Sequence, residues 1–236
     1  MSNSRPLNAA DAGVSSPATG SRRARNGQRG KRVAAWSDAI QSPDQQYELK
    51  RKALIHAAAR AFNARGYHNT SLDDVAAELG VTRAALYHYI RSKQEILFEC
   101  HMLVYDLGEQ AIEHARTHGR NGLERACLII RRFIELFNGE MGRVAVMSEH
   151  KSLEPAMQAI IQKRRDDFDH EFRSVIDAGI RDGSVRAVDP KLAVFFAMGA
   201  VNWMGTRWYR PDGPLSSEQI AASFEDMFRA AVSADR

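Results

Sequence analysis

The stretch that decides the fold reads Leu72-Asp73-Asp74-Val75-Ala76-Ala77-Glu78-Leu79-Gly80-Val81-Thr82-Arg83-Ala84-Ala85-Leu86-Tyr87-His88-Tyr89. Counted from Leu72, the fifth residue is Ala76 and the ninth is Gly80. A helix-turn-helix needs a small fifth residue so that its two helices can approach. It needs a ninth residue at ease with positive φ in the turn. It also needs apolar residues that wedge both helices onto a third, and Val75, Leu79, Val81, Leu86 and Tyr89 supply them. All seven positions comply. The spacing predicts two short helices about Gly80, the second capped by Thr82 and running to about Ile90.

With Leu86, Tyr89 and Ile90 turned inward, the second helix presents Arg83, Ala84, Tyr87 and His88 outward. A recognition helix sets such residues against base edges in the major groove. Arg83 suits a bidentate contact to guanine. Tyr87 suits a phosphate through its hydroxyl, or else a half-buried aromatic place. His88 suits either base or phosphate. Ser92-Lys93-Gln94-Glu95 is a capping box that opens a long helix. It puts Lys93 at the first helical position, where a cation opposes the macrodipole. That placement makes sense if a phosphate docks there; the plain alternative is a solvated lysine.

Outside this segment the pattern is helical throughout. From Tyr47 a helix is expected to bury an Ala-rich face of Leu49, Ala53, Ala57 and Ala61 and to stop at Gly66. Thr70 or Ser71 caps the next helix, with Asp73 and Asp74 in its first turn. The long helix carries Ile96, Cys100, Leu103, Leu107 and Ala111 at the spacing of a buried stripe. Leu123, Cys127, Ile130, Phe133, Ile134 and Phe137 make a second stripe, and Ile161, Phe168, Phe172 and Ile176 belong to a third. Asp189-Pro190 opens a helix that is apolar all round from Leu192 to Trp203, which predicts burial on both sides. Ser216 opens the last helix.

The N-terminal 46 residues are rich in Ser, Ala, Gly and Arg and are expected to be disordered. Ser21–Arg32 holds six Lys/Arg and no acid, which reads as a solvated tail or as an arm that tracks phosphates. The net charge is +4 over residues 1–46, +3 over 47–95 and −3 over the rest. The basic part is therefore the one expected to meet a polyanion.

Several classes are set aside. No apolar run approaches a membrane span, and the polar N-terminus is not a secretory signal. The two cysteines, Cys100 and Cys127, form no metal or redox pattern, so a reducing, cytoplasmic location is expected. His114 and His118 share a helix face but lack a third ligand. His170-Glu171 begins like a zinc-protease motif, yet Ser174 stands where the second His is required. No metal, no cofactor and no enzymatic activity are expected. The alternative to a DNA-binding regulator is a helical carrier or enzyme that does not bind DNA.

Ala61-Phe62-Asn63-Ala64-Arg65-Gly66-Tyr67, Thr70-Ser71-Leu72-Asp73-Asp74-Val75-Ala76, Gly80-Val81-Thr82 and Leu86-Tyr87-His88-Tyr89-Ile90-Arg91-Ser92-Lys93 resemble the DNA-binding domain of TetR-family regulators. The resemblance implies an all-α homodimer. It implies a three-helix helix-turn-helix domain at 47–95, after the tail at 1–46, and a larger effector-binding and dimerisation domain at 96–236. In such proteins the last two long helices form the dimer. Carried over by position, it places Thr70, Thr82, Arg83, Ala84, Tyr87, His88 and Lys93 at DNA-contact positions. The implied partners are double-stranded operator DNA, a second copy of the chain and a small effector. Gly199-Ala200-Val201-Asn202-Trp203 and the segment from Arg207 to Ser216 resemble a subgroup that responds to acyl-CoA thioesters of lipid or sterol breakdown. Such an effector needs an apolar tunnel, for which Phe133, Phe137, Phe168, Phe172 and Trp203 are candidates. It also needs a cationic mouth, for which the candidates are Arg164 and Arg165, beside Lys163, or Arg207. Core aromatics and a solvated charge run are the plain alternatives for these residues.

Overall fold

The computed structural model describes residues 42–139, 145–204 and 213–234, with side chains at 42–136, 148–204 and 213–234. Arg207 and the side chain of Phe137 lie outside the described residues, as does the basic segment 21–32. The protein is all-α. Helices α1 (Pro43–Arg65), α2 (Leu72–Leu79), α3 (Arg83–Leu86), α4 (Lys93–His118), α5 (Gly122–Gly139), α6 (Pro155–Asp182), α7 (Pro190–Trp203) and α8 (Ser217–Val232) follow in order. A 3₁₀ segment, Ala145–Ser152, precedes α6. Two compact units divide the chain, 1–46 and 47–236. Within the described part of the first, Ser42 and Gln45 exchange side-chain-to-backbone hydrogen bonds of 3.0 and 3.1 Å.

The second unit begins within α1, and from Tyr47 onward that helix forms a small bundle with α2 and α3. Leu54, Ile55, Phe62, Leu72, Val75, Leu86 and Ile90 make its core. The buried face of α1 is not the one expected from its alanines alone. Leu54, Ile55 and Phe62 go inside beside Ala57, Ala58, Ala59 and Ala61, while Leu49 is 50% exposed. The larger side chains remove more apolar area from water and so set the rotation of the helix. Arg51 then ties α1 to α4 through Glu99 at 2.7 Å.

The larger bundle is built round α5, which packs on α4, α6 and α8. Its N-terminus meets the C-terminal end of α6 at a glycine pair. A Cβ on Gly122 would lie 2.2 Å from the Gly179 backbone, so the crossing needs a bare backbone on both sides. Asp182 accepts from the Gly122 amide and Ser184 from the Leu123 amide, which satisfies donors that a helix start leaves open. Ser184, whose amide also donates to Asp182 at 2.9 Å, and the Gly122 amide hold the Asp182 carboxyl below the usual carboxylate range by hydrogen bonding. After α6 the chain makes an antiparallel bridge between Val185 and Ser233, which fastens the α6–α7 turn to the end of α8.

Helix α7 departs from the expectation of burial on both sides. Ala193, Val194, Ala197 and Val201 face inward, but Leu192, Phe195, Phe196 and Trp203 are each more than half exposed. An all-apolar helix at the edge of a single chain needs a cover from outside that chain, and sequence periodicity does not say where the cover comes from.

Candidate nucleic-acid interface and effector cavity

Ser71, not Thr70, caps α2. Its hydroxyl accepts from the Asp74 amide and the Asp74 carboxylate accepts from the Ser71 amide, a reciprocal box. The Ser71 hydroxyl, which donates to the Asp74 carboxylate at 2.6 Å, and after it the Ser71 amide hold the Asp74 carboxyl below its ordinary value. Gly80 takes φ 66° and ψ 30°, the left-handed conformation that the turn requires. Thr82 caps α3 by accepting from the Ala85 amide at 3.2 Å.

Helix α3 is a single turn, shorter than the spacing predicts. Beyond Leu86 the chain tightens. The Tyr89 amide donates to the Leu86 carbonyl three residues back, Tyr89 packs on the Tyr47 ring at 5.0 Å, and Ile90 is buried. These inward contacts bend the segment after its first turn. Val81, expected as a wedge, is 44% exposed, while Leu79 and Tyr89 are half-buried.

The expected reading face is open to solvent. Arg83, Ala84, Tyr87 and His88 are all exposed, and Thr82 lies beside them. Arg83 pairs with Asp73 at 2.9 Å and donates to the Tyr87 hydroxyl at 3.2 Å, so the three form one exposed cluster across the turn. The Tyr87 hydrogen bond, ahead of the Asp73 charge, raises the Arg83 pKa. Thr70 stands apart from this face. It is 1% exposed and its hydroxyl donates to the carbonyls of Gly66 and Ala61, so it fastens the α1–α2 corner. Lys93 is the first residue of α4 and is half-buried. Its ammonium lies over the Tyr67 ring, and burial lowers its pKa.

The same region joins the larger bundle. His68, in the α1–α2 corner, lies 3.2 Å from Glu149 and 3.3 Å from Ser152 of the 3₁₀ segment. The 95/96 border expected between domains falls in the first turn of α4, so that one helix serves both parts.

A cavity of about 680 Å³ opens between α4, α5, α6 and α7. Of the expected effector residues, Phe133, Phe168 and Arg165 line it. Gly108 lets the Phe168 ring lie against α4, since a Cβ there would stand 2.9 Å from that ring. Phe172 is fully buried behind Phe168, and Trp203 is 64% exposed. Arg164 is held by Asp106 and Glu109, each at 2.8 Å, and does not line the cavity.

Sequence reasoning missed Tyr105, Arg173, Lys191 and Asn202, which do line it. Arg173 sits four residues from Asp169 and pairs with it at 2.6 Å, a spacing that reads as a solvated ion pair. Lys191 lies over the Phe195 ring at 5.5 Å. Arg165 and Lys191 make no ion pair among the described residues, and Asp166, which has none either, lines the cavity with them. Among the described residues no three or more His, Cys, Asp or Glu side chains gather as a metal site. No helix among them is long and apolar enough to cross a membrane.

Comparison with known proteins follows the same division. Residues 54–100 match the family described as bacterial regulatory proteins, tetR family, and residues 119–232 match the tetracyclin repressor-like C-terminal domain. The HTH-type transcriptional repressor KstR2 of Mycolicibacterium smegmatis is 25% identical over 177 residues, covering 74% of this chain and 86% of the repressor. The crystal structure of PfmR, a TetR-family regulator from Thermus thermophilus, is 31% identical, with a TM-score of 0.69 over 75% of this chain and 97% of that one. AibR, solved with isovaleryl coenzyme A and operator DNA, is 30% identical, with a TM-score of 0.66 over 75% of this chain and 96% of AibR. With the helix-turn-helix, the helical bundle and these matches together, the chain belongs to the TetR family of DNA-binding transcriptional regulators.

Proposed function

We propose that this regulator represses transcription from a palindromic operator and is released by an acyl-CoA thioester. The observation that carries the DNA half is the exposed row Arg83, Ala84, Tyr87 and His88 set behind the left-handed Gly80. In this reading Arg83 reads a base edge, Tyr87 and Thr82 meet phosphates, and His88 serves either purpose. Lys93 meets a phosphate at the start of α4. Thr70 acts by holding the corner. The reading domain spans 47–95 and the effector and dimerisation domain 96–236, after a basic tail at 1–46. Two copies joined through α7 and α8 place their reading helices one DNA turn apart, or a multiple of it. The location is cytoplasmic.

The effector half is supported by the cavity. Phe133, Phe168, Val194 and Met198 offer an apolar floor, while Arg165 and Lys191 offer a cationic rim. An amphiphile with an apolar tail and a polyanionic head matches both. AibR, bound to isovaleryl coenzyme A in its solved structure, is a relative of matching fold.

Fluorescence anisotropy of a labelled duplex from upstream of the regulator's own gene tests both halves. The expected result is tight binding that weakens steeply with salt and is reversed by acyl-CoA. Binding that no acyl-CoA reverses keeps the repressor and removes the effector class. A folded protein with no sequence preference at low salt removes the repressor.

A further inference from the structure

We propose that Glu149, held against the reading domain by the larger bundle, is a counter-charge that competes with DNA phosphate for Lys93 and so limits how tightly any duplex binds. The inference rests on the proposed reading of Lys93 as a phosphate contact. It comes from a row of four side chains that crosses between the two parts of the molecule.

The Lys93 ammonium lies over the Tyr67 ring at 4.1 Å. The Tyr67 ring meets the His68 ring edge-on at 5.2 Å. His68 Nε2 lies 3.2 Å from the Glu149 carboxylate. Lys93 belongs to α4, Tyr67 and His68 to the α1–α2 corner, and Glu149 to the 3₁₀ segment. The row therefore runs from a cation to an anion in three contacts. The charge at one end is felt at the other. Burial lowers the Lys93 pKa and Glu149 raises it. Burial and then Glu149 raise that of the Tyr67 hydroxyl.

The carboxylate has charge to offer. It accepts from the Ser152 hydroxyl at 3.2 Å, and among the described residues it pairs with His68 and with no Lys or Arg. A hydroxyl and a neutral imidazole fix a carboxylate in place without cancelling its charge. The Glu149 side chain is 30% exposed, so water screens it only in part.

Its place is set from the other side. Leu153, which follows the 3₁₀ segment, is buried, and its carbonyl accepts from the Gln158 side chain of α6 at 2.6 Å. His150 Nε2 lies 3.4 Å from the Gln158 carbonyl, and the His150 ring stands 6.2 Å from that of His101 on α4. These contacts hold the 3₁₀ segment, and Glu149 with it, at the corner. A phosphate that docks at the start of α4 brings a second anion to a cation that already faces one. The repulsion between phosphate and carboxylate opposes operator and random duplex alike, because a phosphate carries no sequence.

The test is a double-mutant cycle in the full chain, read by anisotropy on operator and scrambled duplexes. Glu149→Gln removes the charge and still accepts from Ser152. It is expected to tighten both duplexes by about tenfold at low salt, roughly threefold for each half-site, the order of one exposed charge pair. The gain is expected to shrink as salt rises and to vanish when Lys93→Gln is also present. Glu149→Asp keeps the charge and is expected to bind as the parent does. Glu149→Ala is the second neutral variant, should the glutamine form melt below the assay temperature. No gain in either neutral variant overturns the proposal. So does a gain that persists beside Lys93→Gln, which would be a general field, or an equal gain in Glu149→Asp, which would be packing. Lys93→Gln alone separates the two readings. If it binds as the parent does, the phosphate contact fails and this inference falls with it. If it binds more weakly and Glu149→Gln gives no gain, this inference alone fails.

Discussion

The ammonium of Lys93 lies 4.1 Å from the centre of the Tyr67 ring, at the first turn of the helix that joins the two parts of the molecule. The ring holds the cation at the start of α4, where the proposed reading sets a phosphate. In that reading Lys93 contributes a charge to DNA binding as well as a cation–π contact to folding. Lys93→Gln removes both, and Lys93→Arg restores the charge. The glutamine variant is expected to lower the slope of log K against log salt by about 2, about 1 for each of the two lysines in a dimer on the operator. The arginine variant should return the slope. An unchanged slope in Lys93→Gln, with only a lower melting temperature, assigns Lys93 to folding alone.

Arg83 pairs with Asp73 at 2.9 Å, both side chains a little more than half exposed. Exposed pairs are worth little, so in the proposed reading a duplex would draw the guanidinium away at small cost. Arg83→Ala is expected to weaken operator binding by about 1–3 kcal/mol for each half-site and to relax preference at one base pair in each. Asp73→Asn removes a negative charge from the approach to the backbone and is expected to tighten operator and random duplex alike. Titration of both variants against operator and scrambled duplexes checks this. Equal losses on both duplexes for Arg83→Ala would make Arg83 a phosphate contact.

Much of the reading domain was legible because its constraints are local. Ala76, Gly80 and Leu86 each answer to a neighbour within a few residues, and the structure puts all three where the spacing requires. Thr70 and Ser71 were not separable, since both are good caps. Only the fold shows that Ala61 and Gly66 take the Thr70 hydroxyl. The cavity was legible in part. Phe133 and Phe168 stand on apolar stripes that any core helix would carry, and nothing local tells Phe168 from the buried Phe172. Tyr105 and Asn202 line the cavity because four helices converge, a tertiary fact with no periodic signature. The outward face of α7 was misjudged because an apolar helix looks the same whether its cover is its own chain or another.

The Gly122–Gly179 crossing sets how closely α5 and α6 approach. Each lacks the room for a methyl group: a Cβ on Gly122 would fall 2.2 Å from the other backbone, and one on Gly179 would fall 2.5 Å from Val185. Backbone cannot swing aside as a side chain does. Gly122→Ala is expected to cost about 3 kcal/mol, read as a lower urea midpoint at constant slope. A neutral Gly122→Ala would mean that the two helices slide apart without penalty.

His101 supplies a pH dependence with a definite sign. It lies on α4 at 1% exposure, 6.2 Å from the His150 ring, and neither of its ring nitrogens has a hydrogen-bond partner among the described residues. Burial, with a smaller contribution from His150, pulls its pKa from 6.5 down to about 4. Folding therefore keeps the ring neutral, while the unfolded chain takes up a proton below its own pKa. Above pH 6.5 both states are neutral and nothing is lost. As pH falls from 6.5 to about 4, stability drops by up to about 1.4 kcal/mol for each pH unit, about 3 kcal/mol in all. Below the folded pKa both states are protonated and the loss stops growing. His101→Leu removes the titration and leaves no buried polar atom to satisfy. Urea unfolding at fixed protein concentration, stepped from pH 7 to pH 4, is expected to give a shallower decline for the leucine variant by close to one proton. Its stability at pH 7 should match or exceed that of the parent. The same slope in both proteins would place the acid sensitivity on other groups and leave His101 as packing.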